Sequence, residues 1–164
     1  MKENNRNSNK DFIWLPISSA FGLGLLPIAP GSFGALLGVL IHIILKNLVD
    51  NYLVLYILAA IIIFWALSYY SLKWSVIRYN NHDPKNFVLD EVVGYLITAL
   101  FTFNMNFYLS VALCYILFRV FDVVKVPPAY QIDKKMLSFW GVMLDDVVSA
   151  IYAVIAVKLI DYFL

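Results

Sequence analysis

Charged and apolar residues fall in long blocks along this chain. Tyr52 to Leu72 runs for 21 residues without a charge, enough for a helix to cross a bilayer core of about 30 Å. Val92 to Phe118 is longer still, at 27 uncharged residues. One helix of that length would reach about 40 Å, and Asn104 and Asn106 interrupt its middle. The pattern therefore predicts a hairpin of two short helices, about Asp90 to Phe103 and Phe107 to Val124, joined at Asn104-Met105-Asn106. Such a hairpin returns Asp122 to the side of Asp90. Pro127-Pro128 stops the second helix. Two further helices are expected at about Phe33 to Leu48, with Lys46 snorkelling at its far end, and at about Phe139 to Tyr162. Phe12 to Ala29 carries no charge, but Pro16, Gly22, Gly24 and Pro27 break it. That density opposes a plain spanning helix. It suits a re-entrant or interfacial element, with Trp14 near the headgroups. Pro30 and Gly31 read as a turn, with Ser32 as the N-cap of the helix that follows.

Composition agrees with this layout. Of the 164 residues 62% are hydrophobic and 14% charged, and the mean hydropathy is +0.79. An ordinary soluble domain is about 25% charged. The expected fold is an all-α integral membrane protein of about five short transmembrane helices plus the N-terminal re-entrant or interfacial segment. Met1 to Asp11, polar and Asn-rich, reads as a disordered cytosolic tail, and residues 12–164 as a single helical domain. With five spans and the N-terminus inside, Lys73, Arg78, Lys85, Lys125, Lys134 and Lys135 join the basic tail on the inner side. Only Lys46 and Lys158 fall outside. A net charge of +1, with no basic patch among aromatics, offers nothing to nucleic acid. The single cysteine, Cys114, excludes an intrachain disulfide and a cysteine metal cluster.

The same layout puts Asp90, Glu91, Asp122, Asp145 and Asp146 at one cytoplasmic boundary. Each ionised carboxylate placed in hydrocarbon costs about 2.5–3.5 kcal/mol on insertion scales, so five together call for a cation. Oxygen ligands of this kind suit Mg²⁺, Mn²⁺ or Ca²⁺ rather than Zn²⁺. Arg119 and Lys125 flank Asp122 on one helix face and could grip phosphate. The start of the helix after Pro30 offers free N–H groups to the same anion. A phospholipid headgroup at the inner lipid–water boundary is the natural substrate. The structural alternative is ion pairing, Asp145 with Arg119 or Asp122 with Lys125. His42, mid-helix among Ile and Leu, is expected to hydrogen-bond a neighbouring helix. An ion- or proton-coupled transporter could also use such acids, although it would spread them through the membrane depth.

Four blocks resemble the phosphatidylglycerophosphatase A family: Gly22 to Gly34 (GLGLLPIAPGSFG), Asp90 to Gly94 (DEVVG), Arg119 to Lys125 (RVFDVVK) and Gly141 to Asp146 (GVMLDD). They come in family order. Lys125 is followed by Val126-Pro127-Pro128 where the family has a Trp-Pro continuation, and Trp140 stands where a second glycine is common. The resemblance implies a Mg²⁺-dependent, multi-pass enzyme of the bacterial inner membrane. It would hydrolyse phosphatidylglycerophosphate to phosphatidylglycerol and phosphate with its active site facing the cytoplasm. It further implies that Asp90, Glu91, Asp122, Asp145 and Asp146 are the catalytic and metal-binding acids, and that Gly31, Ser32, Arg119 and Lys125 bind the substrate phosphate.

Overall fold

The computed structural model describes residues 8–101 and 104–164. Among these the secondary structure is all helical. Seven α-helices follow one another: α1 (Ser8–Ser18), α2 (Pro30–Val49), α3 (Leu53–Tyr79), α4 (Leu89–Ala99), α5 (Phe107–Val124), α6 (Ala129–Lys135) and α7 (Phe139–Phe163). Single 3₁₀ turns at Leu23–Leu25 and Asp50–Tyr52 link the first three. By length and composition, Pro30–Tyr79 and Phe107–Val124 are apolar enough to cross a membrane.

The short helix α4 is the centre of the bundle. Tyr95 and Leu96 are fully buried, as are Val92 and Val88 at the helix start. It packs on α2, α3 and α7, while α5 lies against α7. Small residues on α2 let α4 come close: a Cβ on Gly34 would sit 2.7 Å from the Val88 carbonyl oxygen, and one on Gly38 would sit 2.9 Å from the Tyr95 ring. Between the same two helices His42 Nδ1 lies 3.1 Å from Tyr95 Oη, the interhelical bond expected of this histidine.

The hairpin expected from Asn104 and Asn106 is present. Asn106 caps α5, its side-chain oxygen accepting from the Tyr108 amide at 3.0 Å. Asp161, at the far end of α7, accepts from the Asn104 and Met105 amides at 3.1 and 3.0 Å. α4 ends at Ala99 rather than near Phe103; residues 102–103 lie outside those described.

Two expectations at the N-terminal side need correction, the cap of α2 and the tail. Within Phe12 to Ala29, α1 runs helical to Ser18 through Pro16 and ends there. Proline removes one donor here, but Ser19 Oγ bonds back to the Leu15 carbonyl at 2.6 Å and helps close the helix end. Trp14 stacks on Tyr70 with ring centroids 6.4 Å apart, so it packs on α3. Ser32 is not an N-cap: α2 begins at Pro30, with Ala29 as its cap at φ 47°. Proline has no N–H to satisfy and its φ suits a first helical position, so the helix starts three residues earlier. Of the expected tail, residues 1–7 lie outside those described, and Ser8 to Asp11 belong to α1. Asp11 accepts from Trp74 Nε1 at 3.1 Å and lies 3.5 Å from Arg78 Nε.

Candidate active site

Four helix ends converge on one cavity of about 330 Å³. α2 supplies Pro30 and Gly31, the start of α4 supplies Asp90 and Glu91, the end of α5 supplies Arg119 and Asp122, and the second turn of α7 supplies Asp145 and Asp146. Lys125, in the left-handed conformation that ends α5 (φ 49°), completes that side. All five acids expected from the sequence line this one cavity. Ser32 does not line it; its carbonyl accepts from Tyr115 Oη at 3.4 Å instead.

The acids are deeply placed. Asp90 and Asp122 are each 8% exposed, and Asp145 and Asp146 each 4%. Burying a charge costs several kcal/mol unless a partner offsets it, so their partners decide what the site can do. Arg119 Nη1 bonds Asp122 Oδ2 and lies 3.9 Å from Glu91 Oε1. Lys125 Nζ sits 2.6 Å from Asp145 Oδ2 and 2.8 Å from Asp133 Oδ1. Ion pairs therefore form, but with partners exchanged relative to the sequence expectation: Arg119 takes Asp122, and Lys125 takes Asp145. The left-handed turn at Lys125 directs the chain toward α6 and α7, whereas Arg119 stays within reach of the residue three positions on.

These pairs leave much unsatisfied. Glu91 Oε2, Asp145 Oδ1, Asp146 Oδ2 and Arg119 Nε are buried without a hydrogen-bond partner. A stranded carboxylate oxygen costs at least about 1–3 kcal/mol. Three of the acids, Asp90, Glu91 and Asp146, each offer an oxygen within 4.8 Å of the others. Their all-oxygen donor set suits a hard divalent cation.

Three further charged residues belong to the site and were not singled out from the sequence. Asp83 and Lys85 line the cavity from the loop before α4. Asp133 braces Lys125 from α6. Burial, opposed by the charge of Lys125, raises the Asp83 carboxyl above its ordinary range. For Lys125, burial disfavours the ammonium, but its bonds to Asp133 and Asp145 outweigh that and raise its pKa. Loop acids and lysines usually read as solvated. The eight-residue spacing from Lys125 to Asp133 across Pro127-Pro128 carried no helical signal.

The cavity rim is apolar on two sides. Val123, which lines it, is 72% exposed. Ile28, next to the lining residue Ala29, is 76% exposed.

Comparison with known proteins gives a consistent picture. The family profile described as PgpA, phosphatidylglycerophosphatase A, matches residues 16–161. A phosphatidylglycerophosphatase A of Haemophilus influenzae is 33% identical over 148 residues, covering 90% of this chain and 88% of that protein. The Escherichia coli phosphatidylglycerophosphatase A is 29% identical over 138 residues, or 84% and 77% of the two chains. A putative phosphatidylinositol-3-phosphatase of Bacteroides thetaiotaomicron is 33% identical over 153 residues, or 89% and 92%. No solved structure matches.

Proposed function

The chain belongs to the phosphatidylglycerophosphatase A family, and from that premise we propose that its acid-lined cavity removes the terminal phosphate of phosphatidylglycerophosphate, leaving phosphatidylglycerol. The reaction class is hydrolysis of a phosphoric monoester. One observation carries the assignment of the cavity: buried carboxylate oxygens of Glu91, Asp145 and Asp146 stand without partners beside Arg119, Lys125 and the start of a helix.

In this reading Asp90, Glu91 and Asp146 would hold Mg²⁺, which when bound would polarise the phosphoryl group and lower the pKa of water. Asp122 and Asp145, tied to Arg119 and Lys125, set the positions of both cations around the phosphate. Gly31, at the second position of α2 and lining the cavity, offers the anion a backbone N–H that has no partner within the helix. Arg119 Nε, buried and unpartnered, is a donor for a phosphoryl oxygen. Asp145 Oδ1, outside the metal-holding trio, accepts the proton of the attacking water.

The protein is proposed to be multi-pass in the bacterial inner membrane, with the cavity at the cytoplasmic boundary. The bias of basic residues to that side and the apolar surfaces of α2, α3 and α5 support this. Phospholipid is then both solvent and substrate.

The test is phosphate release by purified protein from phosphatidylglycerophosphate in mixed micelles. Phosphatidic acid and phosphatidylinositol 3-phosphate serve as comparison substrates. EDTA is expected to stop the reaction and Mg²⁺ to restore it. Asp146→Asn or Asp90→Asn is expected to lower the rate at least about 100-fold, the loss typical of a displaced catalytic group; His82→Ala should change it little. Full activity in EDTA would overturn the metal assignment. Near-normal activity of both Asn variants would overturn the assignment of the cavity.

A further inference from the structure

We propose that Lys85 is the capture residue for the substrate's phosphate: its side chain meets the incoming dianion at the mouth of the acid cavity and sets the apparent affinity for substrate. This rests on the assignment of the cavity as the active site. The inference starts from how the cavity's cations are employed. Three line it, Lys85, Arg119 and Lys125. Arg119 is bonded to Asp122 and lies near Glu91. Lys125 is bonded to both Asp133 and Asp145. Among the described residues, no carboxylate lies within ion-pair reach of Lys85, and its side chain is exposed. Two cations are committed to holding carboxylates in register, and one is uncommitted.

That distinction matters because six carboxylates line the same space: Asp83, Asp90, Glu91, Asp122, Asp145 and Asp146. A phosphate monoester dianion approaching them meets repulsion. A committed cation must loosen its carboxylates before it can answer the dianion fully, whereas an uncommitted one has nothing to give up. The backbone around Lys85 is held while its side chain is left free. Asn81 bonds the Asp83 backbone in both directions, at 2.7 and 3.2 Å. The Phe87 amide bonds the Pro84 carbonyl at 2.8 Å, and the Val88 amide bonds the Ser18 carbonyl at 3.1 Å. Phe87 and Val88 are buried, at 3% and 0% exposed. The four-methylene stem of Lys85 therefore swings from a fixed root over the cavity mouth. A lysine used in this way acts as a mobile point charge rather than a geometric fork. Its effect should appear in encounter and retention and should weaken with salt.

The experiment compares Lys85→Ala, Lys85→Arg and Lys85→Glu with the unmodified protein, and takes Lys73→Ala as the control. Lys73 is a lysine on α3 whose Nζ lies 5.2 Å from the Tyr69 ring centroid and which does not line the acid cavity. Initial rates with phosphatidylglycerophosphate micelles at several salt concentrations give KM and kcat, and inorganic phosphate is titrated as inhibitor. Lys85→Ala is expected to raise KM and the inhibition constant of inorganic phosphate about 5–10-fold, with kcat within about twofold, and to flatten the salt dependence of kcat/KM; a single charge at a rim has an effect of this order. Lys85→Arg should retain most of the affinity, and Lys85→Glu should lose more than alanine. The proposal is overturned if Lys85→Ala matches Lys73→Ala, or if its loss lies in kcat alone. If Lys125→Ala raises KM while Lys85→Ala does not, capture belongs to the committed cations and the cavity assignment stands. If Asp146→Asn and Asp90→Asn are also near normal, the cavity assignment itself has failed.

Discussion

Gly31→Ala adds one methyl group at the most crowded point of the site. The new Cβ would lie 1.9 Å from Glu91 Oε1, 2.9 Å from Glu91 Cδ and 3.2 Å from Arg119 Nη1. Ordinary contact begins near 3.4 Å, so the carboxylate oxygen must retreat by about 1.5 Å. Glu91 is a flexible side chain, and it can move at little cost to the fold. Its displacement breaks the grouping with Asp90 and Asp146, whose oxygens now lie within 4.8 Å of it. A misplacement of about 1 Å at a reacting centre can cost about 100-fold in rate. Alanine is also a better helix former than glycine by up to about 1 kcal/mol, so stability should hold or rise slightly. The expected result is a loss of at least about 100-fold in kcat for phosphate release, with Tm unchanged or higher by thermal denaturation in the same detergent. Activity within about threefold of the unmodified protein would refute the claim that Glu91 works from its observed position. A large drop in Tm would refute the claim that the clash is absorbed by one side chain.

Two other perturbations separate folding from chemistry. Tyr95→Phe removes the hydroxyl that faces His42 Nδ1 at 3.1 Å inside the bundle; stranding that buried nitrogen should cost about 1–3 kcal/mol in denaturant unfolding, with kcat per folded molecule within about twofold, because neither ring lines the acid cavity. Asp83 has its carboxyl pKa raised by burial from 3.8, so the folded chain binds this proton more tightly than the unfolded chain and stability falls as pH rises through and above that value. Asp83→Asn should therefore have the higher Tm at pH 7 in EDTA, with the two melting curves converging below about pH 4; an unchanged difference across that range would refute the burial effect.

The convergence of five acids could be foreseen because each is costly inside an apolar run, and cost implies a shared partner. Asn104 and Asn106 were equally informative: two amides mid-run mark where a helix cannot comfortably continue, and Asn106 is indeed the α5 cap. The start of α2 is not legible in the pattern, because Ser32 is a good capping residue in general, whereas Pro30 at the first helical position needs no cap for its own nitrogen. Which cation pairs with which acid was also beyond the pattern. Arg119, Asp122 and Lys125 share a face by spacing, but Lys125 leaves the helix in a left-handed turn and faces Asp133 and Asp145 instead. Asp83, Lys85 and Asp133 look in sequence like any loop charges. Only the tertiary fold brings the loop after α3 and the short helix α6 against the cavity.

The exposed Val123 of the cavity wall and Ile28 next to it carry a kinetic consequence. An enzyme seated among lipids by such side chains encounters its substrate in two dimensions. Its turnover should then follow the mole fraction of substrate within the bilayer rather than the amount per litre of suspension. Diluting vesicles with buffer would leave the rate per enzyme almost untouched, whereas diluting the bilayer with inert lipid would slow it in proportion.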